Sequence, residues 1–123
     1  GYKSSEYSYD KDVSSNKFII AIYHERKITI LSSDGNKKFE KDYINNGDLR
    51  IQYYNFGPGN ELVIITDQLQ EFSYLYDGDG NLINSIPLEN SHELSVLYSR
   101  SRNEYEVFTS FHNRLDKYRF SLK

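Results

Sequence analysis

Asp77-Gly78-Asp79-Gly80-Asn81 sets oxygen-bearing side chains at alternate positions, the spacing of calcium loops. The helix–loop–helix calcium pattern then wants glycine at 82 and glutamate at 88, whereas the chain has Leu82 and Leu88. A hairpin turn is the expected role, with calcium on other ligands as the alternative. The three histidines, His24, His92 and His112, show no metal-ligand spacing. His24 and His112 occupy matching inter-strand turns, so they would form an acid–base pair only if those turns met. Solvated turn histidines are the default expectation. No Gly-x-Ser-x-Gly elbow or phosphate-cradling loop occurs, and with no cysteine both disulfides and thiolate chemistry are excluded. Asp77 and Asp79 sit in a glycine-rich turn, too exposed to be tuned as catalytic acids. The reading is a chain without catalysis, metal or cofactor.

Charge is distributed unevenly. Residues 1–50 carry nine basic and eight acidic side chains, and residues 100–123 carry six and three. Residues 51–99 carry no Lys or Arg and seven acids: Glu61, Asp67, Glu71, Asp77, Asp79, Glu89 and Glu93. About six basic residues would fall there by even spread. The middle of the chain is therefore an acidic block. Its aromatics include Tyr53, Tyr54, Phe72, Tyr74, Tyr76 and Tyr98, and tyrosine is enriched where interfaces concentrate their binding energy. The competing reading places these rings in the core and leaves the acids as a solubility feature. Arg100, Arg102, Arg114, Lys117 and Arg119 make a modest basic C-terminal region, read as a solvated face. With the largest one-sign block negative, nucleic acid is disfavoured as a partner.

The elements that must position these residues repeat. Asn16-Lys-Phe-Ile-Ile-Ala-Ile, Asn60-Glu-Leu-Val-Ile-Ile-Thr and Asn103-Glu-Tyr-Glu-Val-Phe-Thr align without gaps, 44 and then 43 residues apart. Ile28-Thr-Ile-Leu matches Phe72-Ser-Tyr-Leu, Asp34-Gly-Asn matches Asp79-Gly-Asn, and Asp48-Leu-Arg-Ile-Gln-Tyr matches Glu93-Leu-Ser-Val-Leu-Tyr. The period predicts one all-β domain with units at about 16–59 and 60–102 and a half unit at 103–123. Strands are expected at 17–24, 27–33, 37–43 and 48–55, then 61–67, 71–77, 81–88 and 93–99, then 104–111 and 115–122. Leu49, Ile51 and Tyr53, like Leu94, Val96 and Tyr98, should share one face. Asp34-Gly35 and Asp79-Gly80 read as hairpin turns, and Phe56-Gly57-Pro58-Gly59 as the break between units. Residues 1–15 read as an edge strand or a loose arm. A helical spacing from Leu94 through Leu97, Phe108 and Leu115 also offers an α+β fold with a helix over about 91–120. Its Ser, Asn, Thr and aromatic content makes a mediocre helix.

A four-stranded unit of about 44 residues, with Tyr74-Leu-Tyr-Asp-Gly-Asp-Gly-Asn-Leu-Ile as its most regular stretch, resembles a β-propeller blade. The same stretch looks like the tyrosine-aspartate repeats of large bacterial toxin shells. No Gly-His or Trp-Asp signature is present. The resemblance implies a part-propeller of about two and a half units, or a sandwich of similar hairpins, serving as a binding scaffold.

The functional expectation is a non-catalytic interaction module. Its most concrete form is a small acidic bacterial inhibitor of immunity type, covering a basic toxin such as a nuclease. Asp67, Glu71, Tyr74, Tyr76, Asp77 and Asp79 are the expected contacts. The alternative is an extracellular structural or glycan-binding domain of a larger propeller-like protein, with tyrosines stacking on sugars. A hydrolase or nuclease using the histidines is a third reading. The longest apolar run, residues 18–23, falls well short of the roughly 20 residues of a membrane span. No basic-then-apolar leader is visible, which favours the cytoplasm, while a chain beginning at Gly1 without methionine leaves secretion open.

Overall fold

The computed structural model describes residues 18–43 and 48–121, and among them all regular structure is antiparallel sheet. Strands β1 (Ile19–His24), β2 (Lys27–Ser32) and β3 (Lys37–Asp42) form a first sheet. The second joins β4 (Leu49–Asn55), β5 (Glu61–Asp67), β6 (Phe72–Asp77) and the two-residue β7 (Leu88–Glu89). The third orders β10 (Arg114–Ser121), β9 (Glu104–Phe111) and β8 (Ser95–Ser99). The expected arm at 1–15 lies outside the described residues.

The helix over 91–120 does not form. The backbone reverses at Arg100–Asn103 and at His112-Asn113, with Asn103 and His112 at φ of 54° and 55°, where a right-handed helix stops. Strands β8, β9 and β10 occupy that stretch instead. The expected strand at 81–88 shrinks to one bridge, Tyr76 to Leu82, and to β7. Asn84 replaces the missing ladder: its side-chain oxygen accepts from the Leu75 N–H at 2.8 Å, and its amide donates to the Ser73 carbonyl at 3.2 Å.

Phe56-Gly57-Pro58-Gly59 is not a break. It is the hairpin turn that joins β4 to β5, closed by Phe56 N–H to Asn60 O at 3.0 Å. The sheets are therefore phased one strand earlier than the repeat units. What reads as the last strand of one unit hydrogen-bonds to the first strand of the next.

The sheets stack face to face. One face of the middle sheet, with Leu49, Ile51, Tyr53, Val63, Ile65 and Tyr76, packs on Ile19, Ala21, Ile28, Ile30 and Phe39 of the first sheet. Its other face, with Tyr54, Leu62, Ile64, Leu75 and Leu88, packs on Leu94, Val96, Tyr105 and Val107 of the third. Alternate side chains of a strand point to opposite faces, so a strand buried on both sides must be apolar throughout. Leu62-Val63-Ile64-Ile65 meets that demand, with no residue above 1% exposed. Burying each such side chain is worth about 1.5–3 kcal/mol.

Strand pairing also corrects the repeat register. Ile51 lies opposite Ile65, and Val96 opposite Val107. With Val96 set on Ile51, Val107 is the counterpart of Ile65, whereas the gapless alignment matched it to Ile64. Likewise Ile19 and Ala21, not Phe18 and Ile20, hold the positions of Leu62 and Ile64. A slip of one residue moves a whole strand to its other face. The turns absorb the slips.

Polar side chains fix how the second and third sheets meet. Gln52, 6% exposed, donates its amide to the Leu94 carbonyl at 2.9 Å and accepts from the Leu94 N–H at 3.0 Å. Tyr54 Oη donates to the same carbonyl at 3.1 Å. Gln52→Leu keeps the volume but strands the buried Leu94 N–H. It should lower stability by about 2 kcal/mol, read as a fall in the urea midpoint with unchanged slope. A loss below about 0.5 kcal/mol, the scatter of surface substitutions, would show that this clamp does not hold the sheets.

Candidate functional site at the acidic loop end

The turns gather at two ends of the stack. At one end lie Asp34, Lys38, Glu61, Asp77, Asp79, Arg100 and Arg102; at the other lie His24, Asp42, Asp67, Glu71, Glu89, His92, His112 and Arg114. Strand β6 runs between them, its six residues spanning about 17 Å. The six expected contacts are thereby divided. Asp67 and Glu71 stand at one end of β6, Asp77 and Asp79 at the other, with Tyr74 and Tyr76 between.

Asp67 is 5% exposed, and its carboxylate accepts the N–H groups of Leu69 and Gln70 at 3.0 and 3.1 Å. It holds the β5–β6 turn. Glu71 closes that turn at φ 63° and lies 3.5 Å from His112 Nε2. Tyr76 is buried, its ring 5.7 Å from Phe39 and its hydroxyl 2.8 Å from the Tyr43 hydroxyl. Tyr74 packs edge-on to Tyr43 at 6.1 Å. None of the described tyrosines is exposed. Their rings lie in or against the two cores.

The other end of β6 is open. Asp77 accepts the N–H groups of Asp79 and Asn81, each at 2.9 Å, and the Asn81 amide at 3.1 Å. Partial burial pushes its carboxyl upward, but the hydrogen bonds from Asn81, Asp79 and Gly80 outweigh this and hold it below the usual carboxylate range. This is the chemistry of a turn, and it commits both carboxylate oxygens of Asp77. Gly80 takes φ 90°, and a Cβ there would lie 2.6 Å from the Phe39 ring. A Cβ on Gly78 would lie 2.5 Å from Glu61 Oε1. Both glycines let the turn rest on its neighbours.

Around this turn is a recess of about 290 Å³, lined by Lys38, Gly59, Glu61, Asp77, Gly78 and Asp79. A smaller one of about 120 Å³ adjoins it, shares Lys38 and Glu61, and includes Asp34, Ser32 and Tyr53. Lys38 Nζ and Glu61 Oε1 are 2.8 Å apart and about four-fifths buried. Asp34 accepts a short hydrogen bond from the Ser32 hydroxyl and another from the Asn36 N–H at 3.3 Å, which hold its carboxyl low. Four carboxylates and one ammonium thus line the two recesses, and the ammonium is paired with Glu61. Asp34, Lys38 and Glu61 were not legible as members of this site, because their 4- and 23-residue separations follow no period.

The histidines do not form an acid–base pair. His24 lies 3.6 Å from Glu25 on the first sheet, His112 beside Glu71 at the third, and the middle sheet separates them. Among the described residues no group of three or more His, Asp or Glu is placed to hold a metal ion. The basic C-terminal residues are largely ion-paired. Arg114 bridges Glu89 and Asp116 at 2.7 Å each, and Arg102, Lys117 and Arg119 lie 3.5–4.0 Å from Glu106 Oε2.

The buried phenols make an alkaline prediction. Burial pushes Tyr43 far up, and the bond to Tyr76 adds to it; burial also raises Tyr76, Tyr54 and Tyr105. A phenol raised above its unfolded value of 10.0 contributes stability in full below that pH. Above it the unfolded chain releases the proton first, and the contribution is lost as pH rises. Phenolate absorbance should therefore appear for these tyrosines in one step with loss of the sheet's circular dichroism, above pH 10. Titration of every tyrosine near 10 with the sheet intact would contradict the burial argument.

Comparison of the chain with protein-family models, with curated proteins and with solved structures found no match.

Proposed function

We propose that this chain is a non-catalytic binding module whose loop end takes a basic protein partner. The observation that carries the reading is the pair of adjoining recesses lined by Asp34, Glu61, Asp77 and Asp79, with Lys38, which pairs with Glu61, as the one cation in their lining. Asp34 and Asp77 are held ionised by turn hydrogen bonds, so their charge persists into mildly acid solution. A concentrated negative field steers a cationic surface and favours it over neutral ones. Asp79 is exposed and is not used by the turn through its side chain, which leaves it for a partner's Lys or Arg.

In its concrete form the module is a small acidic inhibitor of immunity type, covering the cationic active site of a toxin such as a nuclease. The three stacked sheets then serve as blade-like units of a part-propeller scaffold, rigid because the middle one is buried on both faces. The contacts shift from the six residues expected along β6 to its open end: Asp77 and Asp79 remain, and Asp34 and Glu61 join them.

Affinity capture on the immobilised chain, from secreted material of the source organism, should retain a cationic protein at low salt. That protein should bind at least about tenfold more weakly to Asp79→Lys, equivalent to about 1.4 kcal/mol. Asp42→Lys makes the same charge change at the opposite end and should leave affinity unaltered. Salt near 0.5 M, where screening shortens electrostatic reach to a few ångströms, should weaken wild-type binding. Equal affinity of the Asp79 and Asp42 variants, or capture of no cationic protein, would sink the reading.

A further inference from the structure

Two sheet faces point outward from the stack. Each junction inside the chain joins two kinds of face. The face of the middle sheet holding Val63, Ile65 and Tyr76 receives the first sheet, and the face holding Leu62, Ile64 and Leu75 meets the third. Strand pairing assigns the outward residues to the same two kinds. On the first sheet Ile20, Ile22 and Leu31 occupy the positions of Val63, Ile65 and Tyr76. On the third, Leu97, Glu106, Phe108 and Arg119 occupy those of Gln52, Ile64, Thr66 and Leu75. Among the described residues the stack thus ends in one face of each kind, and the pairing used twice within the chain is available again between chains.

The side chains suit that use. Ile22 is 38% exposed, and Ile20 and Leu31 beside it are half-buried. On the third sheet Leu97, Phe108 and Leu115 make a diagonal across three strands, with the two leucines 59% and 82% exposed. Singly exposed leucines are ordinary; a stripe of apolar side chains aligned across a sheet face is not. The polar groups are compatible with contact. Glu106 and Arg119 are already paired at 3.5 Å, so they would enter an interface without stranding a charge. Arg102 and Lys117 beside them are likewise paired within the sheet, to Glu104 and Glu106. On the first sheet Lys27 lies 3.9 Å from Glu40, so that face strands no charge either.

We propose that a second copy of this chain stacks here, the outer face of β1 and β2 of one copy lying on the outer face of β8, β9 and β10 of the other. The contact is heterologous, because different surfaces of the two copies meet, so it closes as a ring or extends as a series according to its rotation. It is independent of the loop-end recess.

Sedimentation velocity of the whole chain between about 10 µM and 1 mM, the range of weak association, tests the idea. The wild type should gain mass with concentration. Ile22→Lys and Leu97→Lys alter outward side chains of opposite end faces and should each remain monomeric, with unchanged circular dichroism. Mixed in equal amounts, they retain one intact junction between them and should form dimers and nothing larger. A wild type that stays monomeric, a single variant that still dimerises through its remaining face, or a mixture that stays monomeric would each overturn the proposal.

Discussion

Everything in this fold depends on the middle sheet being apolar on both faces. An antiparallel sheet commonly turns one face to water and alternates accordingly. Here Leu62, Val63, Ile64 and Ile65 are consecutive and fully buried, so β5 has no solvent side. Two cores result, one on each side, and the outer sheets need only one apolar face apiece. The first and third sheets do alternate: Ile19, Ala21, Ile28 and Ile30 point inward on one, and Val96, Tyr105 and Val107 on the other.

That constraint decides what happens to the polar residues. Gln52, Thr66, Ser73, Asn84 and Asn90 are all buried in or beside the middle sheet, and each is hydrogen-bonded. Thr66 and Ser73 join hydroxyls across β5 and β6 at 2.7 Å, and Asn90 reaches from Ser73 to the Ser110 N–H. Such bonds contribute little net energy but are costly to lose. They specify how the sheets meet, a choice that apolar packing leaves loose. Tyrosine serves the same end, placing a large ring in the core and its hydroxyl on a partner, as Tyr54 does on Leu94 and Tyr43 on Tyr76.

With the strands committed to packing, most of the exposed charge is left to the loops and the outer sheet faces. One end of the stack sets His112 beside Glu71 and Arg114 on Glu89. The other holds the recess lined by Lys38 and the carboxylates of Asp34, Glu61, Asp77 and Asp79. The recess forms because the turns of the first and middle sheets emerge side by side there. The acidic block in the sequence supplies only part of it: Asp34 and Lys38 come from the near-neutral first fifty residues.

Most strands, their antiparallel pairing and the turns at Asp34-Gly35 and Asp79-Gly80 were legible in the sequence. Period-two alternation and φ-positive glycines are local signals, and here they agree with the global packing. Glu25-Arg26 gives the contrast: both residues take positive φ in a tight hairpin, at 52° and 65°, without the Asn or Gly that would announce it. Tertiary structure alone decided the register of the repeats, because a one-residue slip preserves composition yet exchanges the faces. It also decided that Phe56-Gly57-Pro58-Gly59 turns within a sheet, since a glycine-rich reversal looks the same inside a sheet as between two. The recess was out of reach for the same reason. Lys38 and Glu61 meet only because two sheets stack, and sheet-to-sheet contact leaves no spacing in the chain.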